Sequence, residues 1–186
     1  METPGRIHTP LSDDVVARLK IGERLLLSGD LFTARDAAHK RLVECLQQKT
    51  ALPFDLEGSI IYYVGPAPAR PGMALGSAGP TSSYRMDPYT PPLLALGLKG
   101  MIGKGQRGPQ VVEAMRKHKA VYFAATGGAG ALLCKSVKTS VIIAYADLGP
   151  EAVRKLTVVD FPVIVVNDCH GHDLYEQGRA QYESFA

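Results

Sequence analysis

The sequence predicts a single α/β or α+β domain built on a mixed sheet, and three observations lead there. The chain has 186 residues, 46% hydrophobic and 21% charged, which supports one full hydrophobic core with an ordinary globular composition. Five or more short apolar runs of strand type are mixed with segments of helical period, in neither strict βαβ repetition nor a succession of hairpins. The 19 glycines and 13 prolines call for many turns, yet no dinucleotide-binding glycine fingerprint is among them.

Residues 1–10 read as a loose N-terminal arm of the 1–186 domain. Ser12 is a suitable N-cap for a helix over Asp13 to Leu19, with Asp13 and Asp14 in the first turn where the helix dipole favours acids. Glu23 to Ser28 is a strand around Leu25-Leu26-Leu27, and Gly29-Asp30 turns the chain. Thr33 then caps a helix with Asp36 as its third residue, a pair resembling a capping box. Ala34, Ala38, Leu42, Cys45 and Leu46 form the buried stripe of that helix. Ile60 to Val64 is a strand, Pro66 to Gly72 a rigid surface connection, and Met73 to Ala78 a further strand. Pro91 opens a helix that Gly97 stops. Gly100 to Gly103 is a very short strand. Gly108-Pro109 opens a helix with Val111, Val112 and Met115 inward. Ala120 to Ala124 and Val137 to Ala144 are strands, separated by a glycine turn, Thr126 to Ala131, suited to close packing or to cradling an anion. Pro150 starts a short helix through Lys155. Leu156 to Asp160 and Pro162 to Asn167 are two strand segments, and Leu174 to Ala186 is a short helix or frayed end.

Composition narrows the function. The net charge of +3 comes from 21 basic and 18 acidic residues, and the basic residues are scattered with no aromatic ladder, which argues against nucleic-acid binding. A small positive excess suits an anionic metabolite. No apolar run approaches the length of a membrane span, and Met1 to Pro10 has no signal-peptide core, so the default location is cytoplasmic. Cys45, Cys134 and Cys169 are odd in number and widely spaced, unlike a disulfide framework or a cluster-binding set. Cys169-His170-Gly171-His172-Asp173 is too crowded for all its ligand types to reach one metal ion.

The chemistry concentrates in Gly79-Pro80-Thr81-Ser82-Ser83-Tyr84-Arg85-Met86-Asp87-Pro88. Hydroxyls and backbone N–H groups beside a guanidinium make a seat for a carboxylate or phosphate, which arginine can grip bidentately. The same hydroxyls could instead cap their own loop. Arg35 stands in the first turn of its helix, where a cation opposes the dipole. It is there either as a surface arginine paired with a carboxylate or as a group aimed with the first-turn N–H groups at an anion. Lys104, between glycines, lies where the backbone allows close approach to a ligand. Arg35, Arg85 and Lys104 together could neutralise a dicarboxylate, with Thr81 and Ser82 orienting it. Asp87 braces Arg85 or caps the local turn. Removing hydroxide from a non-activated carbon would need a Lewis acid, and no metal site is legible in the sequence.

That decapeptide resembles the signature of the C-terminal domain, or separate beta subunit, of class I (iron-sulfur) fumarate hydratases and L(+)-tartrate dehydratases. Leu27-Ser28-Gly29-Asp30-Leu31-Phe32-Thr33-Ala34-Arg35-Asp36-Ala37-Ala38-His39-Lys40-Arg41 and Met101-Ile102-Gly103-Lys104-Gly105 are similar to two further family segments. The resemblance covers roughly residues 10 to 178. It implies a swivelling β/β/α domain with flanking helices and a curved or barrel-like sheet. It also implies a [4Fe-4S] cluster held by three cysteines of a partner alpha subunit or N-terminal domain, not by this chain, with the active site between the two parts. Arg35 and Arg85 resemble substrate-carboxylate ligands and Lys104 a third cation. Thr81 resembles the residue that exchanges the C3 proton, with Ser82 beside it.

The expected function is therefore that of a beta subunit in a heteromeric hydro-lyase interconverting fumarate and (S)-malate, a tricarboxylic acid cycle reaction. L(+)-tartrate dehydratase is the neighbouring alternative. A self-sufficient enzyme acting on an anionic metabolite and a non-catalytic anion-binding or scaffold domain are the other classes. The expected partners are the iron-sulfur alpha subunit and a small dicarboxylate, with homo-oligomers of the isolated chain as a further state.

Overall fold

The computed structural model describes residues 3–126 and 128–183. Seven strands form one mixed sheet: β1 (Gly5–His8), β2 (Arg24–Thr33), β3 (Ile60–Tyr62), β4 (Gly100–Gly103), β5 (Val121–Ala124), β6 (Val137–Ala144) and β7 (Val153–Asn167). The helices are α1 (Asp13–Arg18), α2 (Asp36–Gln47), α3 (Thr90–Leu94), α4 (Pro109–His118), α5 (Gly130–Leu133) and α6 (Leu174–Tyr182).

The strand order is β1-β2-β3-β4-β5-β7-β6, and β2 also pairs with β7. That extra pairing closes β2, β3, β4, β5 and β7 into a ring, with β1 and β6 attached outside it. β2 to β5 are mutually parallel, and β7 runs antiparallel to β2, β5 and β6. The central strands β3, β4 and β5 are short and apolar on both faces, as a sheet covered on both sides requires. Ile60 and Tyr62 fall in one buried cluster while Ile61 and Tyr63 fall in the other; Ile102 and Met101, and Phe123 and Tyr122, divide the same way. The second cluster also holds Ala38 and Leu42 of α2, Leu93 and Leu94 of α3, and Val111 and Met115 of α4. These three helices thus cover the outer face, and the alternate residues fill the ring together with Leu27, Leu31, Phe161 and Val163.

Local chemistry sets the element ends. Ser12 Oγ accepts a hydrogen bond from Val15 N at 3.3 Å and caps α1, as expected. Asp173 caps α6 by accepting from Tyr175 N at 2.7 Å and Glu176 N at 3.3 Å. Pro109 stands in the first turn of α4, where no N–H is needed.

Several expectations are corrected. The loose arm over 1–10 is instead strand β1 at Gly5–His8, paired with Leu25 to Ser28; Met1 and Glu2 lie outside the described residues. Gly29-Asp30 does not end β2. The strand passes through a bulge there, with Gly29 at φ +115° against the backbone of Thr9, a conformation and an approach that glycine permits. Thr33 is the last residue of β2, not a helix cap: its hydroxyl donates to Ala152 O at 3.2 Å and accepts from Arg154 N at 2.9 Å. Arg35 is the N-cap of α2 and Asp36 its first residue. Met73 to Ala78 contains no strand. Pro150 lies within the 3-10 turn Ala146–Glu151 and is followed by strand, not helix. The two late strand segments are one, β7. Pro162 lies opposite Leu26 of β2, between the part paired with β6, up to Val158, and the part paired with β5, from Ile164, so neither the β6 nor the β5 ladder needs its missing N–H. Gly127 of the glycine turn and residues 184–186 of the tail lie outside the described residues. No helix among the described residues is long and apolar enough to cross a membrane.

Candidate functional site

Because β2, β3, β4 and β5 are parallel, their carboxyl ends, at Thr33, Tyr62, Gly103 and Ala124, share one edge of the sheet. Ligands of parallel sheets sit at such edges. Arg35 follows β2 and Lys104 follows β4. The hydroxyl-rich segment is fixed between the exits of β3 and β4. Thr81 N donates to Tyr63 O at 2.7 Å, Lys104 N to Thr81 O at 3.2 Å, and Ser83 N to Lys104 O at 2.9 Å. Ser82 and Lys104 therefore form an isolated parallel bridge. Lys104, distant in sequence, is thus brought to the neighbours Thr81 and Ser82 by main-chain bonds alone.

The two arginines lie beside them, and Arg85 is tied to the residue next to Arg35. Arg85 is on the 3-10 turn Ser83–Met86, which follows directly from Ser82. Its Nε donates to Asp36 Oδ1 at 2.9 Å, and Asp36 is the neighbour of Arg35. The Arg35 guanidinium lies against the backbone after β3: a Cβ on Gly65 would come 2.6 Å from Arg35 Nη1. Arg35 Nη2 is 3.5 Å from Glu151 Oε1, and Glu151 Oε2 accepts from Ala37 N at 2.9 Å. Arg35 thus has the carboxylate neighbour of the first reading, although it is half-buried, and stands at the helix N-terminus of the second.

A buried polar layer supports this edge. Tyr122 OH donates to Gly105 O at 2.9 Å and so accepts from Ser83 Oγ at 2.8 Å. Burial pushes the Tyr122 phenol up from its ordinary value, so it remains a hydroxyl donor. A Cβ on Gly103 would collide with Ser83 Oγ, so glycine there lets Ser83 reach Tyr122. Asp87 does not brace Arg85. Its Oδ1 accepts from Arg107 Nε at 2.7 Å and its Oδ2 from Gly108 N at 2.6 Å. Arg107, with a side chain 0% exposed, also donates to Thr90 Oγ1 at 2.9 Å and to Tyr63 OH at 3.3 Å. Such an ion pair is tolerated in a core only with its remaining donors satisfied.

His39 is fully buried on α2, one turn after Arg35. Its Nδ1 donates to Arg35 O at 2.9 Å, and its Nε2 is buried without a hydrogen-bond partner among the described residues. Burial pushes its pKa down from 6.5 to about 4, against the opposing pull of the Arg35 carbonyl. His39 is therefore neutral at pH 7.

The edge is open. Lys104 is exposed and makes no ion pair among the described residues; the Arg85 side chain is 42% exposed and Tyr84 is 66% exposed. Arg35, Thr81 and Ser82 are half-buried. Three cations with two hydroxyls on a solvent-facing shelf can bind a small anion with two charged ends, and they leave its other side uncovered. Cys45, Cys134 and Cys169 are free thiols. Asp168 takes up the neighbouring histidines, accepting from His170 N at 3.0 Å and pairing with His172 Nδ1 at 2.8 Å. No group of three His, Cys, Asp or Glu among the described residues is placed to hold a metal ion.

Sequence reasoning named Arg35, Thr81, Ser82, Arg85 and Lys104, and all five meet at this edge. It missed Glu151 and Arg107, and it missed Ser83 and Tyr122 as a bonded pair. Arg107 had one usable signal, its place just before the helix start at Gly108-Pro109. Glu151 had none, because it reaches Arg35 only through the closure of β7 onto β2.

Residues 6–178 match the family described as Fumarase C-terminus. The chain is 39% identical over 167 residues to fumarate hydratase 2 of Leishmania major, covering 89% of this chain and 29% of that protein. It is 38% identical over 176 residues to the aerobic class I fumarate hydratase of Escherichia coli K12, covering 92% and 32%. It is 39% identical over 168 residues to a Methanocaldococcus jannaschii protein provisionally named L(+)-tartrate dehydratase subunit beta, covering 87% and 86%. The chain thus spans about a third of the length of these two fumarate hydratases and most of the archaeal subunit.

Proposed function

The chain belongs to the Fumarase C-terminus family, and on that premise we propose that it is the dicarboxylate-binding half of a class I hydro-lyase, interconverting fumarate and (S)-malate with an iron-sulfur partner. One observation carries the reading: Arg35, Thr81, Ser82, Arg85 and Lys104 meet at the carboxyl edge of β2 to β4 on an open shelf. Cations at that edge suit the two carboxylates of a four-carbon diacid.

The roles follow from the chemistry of each group. Arg35 and Arg85 each grip one carboxylate, since a guanidinium fork matches a carboxylate bidentately. Lys104 adds the third positive charge, and Ser82 helps to orient the substrate. In the dehydration direction malate loses its C3 proton and its C2 hydroxyl, giving fumarate and water. We assign the exchange of the C3 proton to Thr81. A threonine hydroxyl is a poor base at pH 7, so the role depends on the cations around it. Among the described residues Cys45, Cys134 and Cys169 are free thiols, and no group of three His, Cys, Asp or Glu is placed to hold a metal ion. The reading assigns the [4Fe-4S] cluster implied by the family resemblance, and with it the Lewis acid, to the alpha partner. The open shelf is the face the partner would cover. The location remains the cytoplasmic one expected from the sequence.

The archaeal relative favours a second reading, an L(+)-tartrate dehydratase beta subunit, because this chain matches 86% of that protein at 39% identity. Both readings are tested by mixing the chain anaerobically with the iron-sulfur partner and following fumarate absorbance with malate, with L(+)-tartrate in parallel. Turnover of malate by the mixture and by neither component alone is expected. A strong preference for tartrate selects the second reading. A silent mixture with an intact cluster rejects both.

A further inference from the structure

The 3-10 turn Ala146–Glu151, between β6 and β7, brings one carboxylate to the amino end of α2. No side chain of α2 caps that end: its N-cap is Arg35, which makes no side-chain cap bond. Glu151 takes the place. Its Oε2 accepts from Ala37 N at 2.9 Å, and its Oε1 faces Arg35 Nη2 at 3.5 Å. The Ala37 bond fixes the carboxylate, because that N–H belongs to the helix backbone and cannot move away. Gly65 bounds the guanidinium beside Nη1, where a side chain would meet it at 2.6 Å. The Arg35 and Glu151 side chains are equally half-buried, at 24% exposure.

We propose that Glu151 is a positioning residue that acts through Arg35. It holds the guanidinium between itself and Gly65 so that the Nη hydrogens it does not face are presented to a substrate carboxylate, while Nε stays buried. A cation in the first turn of a helix is pushed away by the dipole; a fixed anion at the same end offsets that push. At 3.5 Å the contact is loose enough for the fork to reorient toward a ligand, while Glu151 stays capped on Ala37. This inference rests on the substrate-binding role given to Arg35 above.

The test is a double-mutant cycle in the assembled enzyme. Glu151→Gln keeps an acceptor for Ala37 N–H and removes the charge facing Arg35. The expected result is a roughly tenfold rise in KM for the dicarboxylate with kcat changed less than twofold, and no further loss when Glu151→Gln is added to Arg35→Ala. Unchanged KM, or losses that multiply in the double variant, overturns the proposal. Arg35 is read independently in the chain alone by ¹⁵N relaxation of its Nε–H group. An ordered signal that becomes mobile in Glu151→Gln is expected, and an unchanged signal overturns the proposal whatever the enzyme assay gives. Should the wild-type assembly turn over neither malate nor tartrate, the functional reading fails, and the relaxation experiment still decides whether Glu151 holds Arg35.

Discussion

Arg85 Nε donates to Asp36 Oδ1 at 2.9 Å, so the signature loop is tied to the first residue of α2, next to Arg35. The side chains of the pair are 42% and 31% exposed, and an ion pair in that setting adds under about 1 kcal/mol to stability. Its value is in geometry. Asp36→Asn should leave the melting temperature within a few degrees of wild type while lowering kcat/KM of the assembled enzyme about tenfold through KM. Thermal melts and steady-state kinetics on the same preparation check it, and a variant with wild-type KM would show that the tie is ornamental.

The pair between Asp87 and Arg107 works differently. Arg107 is 0% exposed and Asp87 6%, and Asp87 also binds Gly108 N at the start of α4. Arg107→Ala leaves a buried carboxylate without its counter-ion, a loss of about 3–5 kcal/mol. For a chain of this length that lowers the melting temperature by roughly 6–20 °C. A shift under about 2 °C in a thermal melt would contradict the description of this core.

Ser83 and Tyr122 carry Lys104 indirectly, through the bond from Tyr122 OH to Gly105 O. Tyr122→Phe leaves the Ser83 hydroxyl and the Gly105 carbonyl short of a partner, at a cost of about 1–3 kcal/mol. Gly103→Ala drives a methyl group into Ser83 and should cost a similar amount by overpacking, about 1–3 kcal/mol. Denaturant unfolding compares the variants with wild type. Amide exchange at Lys104 and Gly105 should quicken in both, and unchanged exchange would separate this layer from the Lys104 loop.

Much of this was legible in the sequence, for physical reasons that particular residues show. The hydroxyl run into Arg85 and the glycines around Lys104 are local chemistry, and local chemistry survives in a linear reading. So do Ser12 as a cap and Pro109 in a first turn. The closure of the sheet was not legible. Gly29 looks like a turn residue, but the ring bends β2 there and gives the glycine a bulge to fill. Pro162 looks like a strand break, but β7 changes neighbours at that point. Thr33 looks like a cap, but its hydroxyl is taken by the backbone of Ala152 and Arg154. Each error came from a contact with a segment distant in sequence. Glu151 and Arg107 were missed for the same reason.

His39 predicts a pH dependence of stability. Its folded pKa of about 4 lies below the ordinary 6.5. Between these values the unfolded chain binds the proton and the folded chain does not, so stability rises with pH across that window. The stabilisation is fully present above pH 6.5 and is lost as pH falls toward 4. A difference of this size corresponds to about 3 kcal/mol from this group. Replacing the ring by an uncharged one, as in His39→Phe, should flatten the dependence between those two pH values. Urea unfolding at about pH 4.5, 5.5 and 6.5 follows it across the window. An equal slope in wild type and variant would mean that His39 titrates normally.

The most direct test of the shelf as the dicarboxylate half of a shared active site is kcat/KM of the assembled enzyme carrying Arg85→Ala. Complex formation with the partner is measured on the same sample by sedimentation. Losing one carboxylate grip should cost at least about 2 kcal/mol, a fall of roughly 30-fold or more, with the complex intact. Wild-type kcat/KM from an intact Arg85→Ala complex would contradict the account, because the substrate would then be held by other residues.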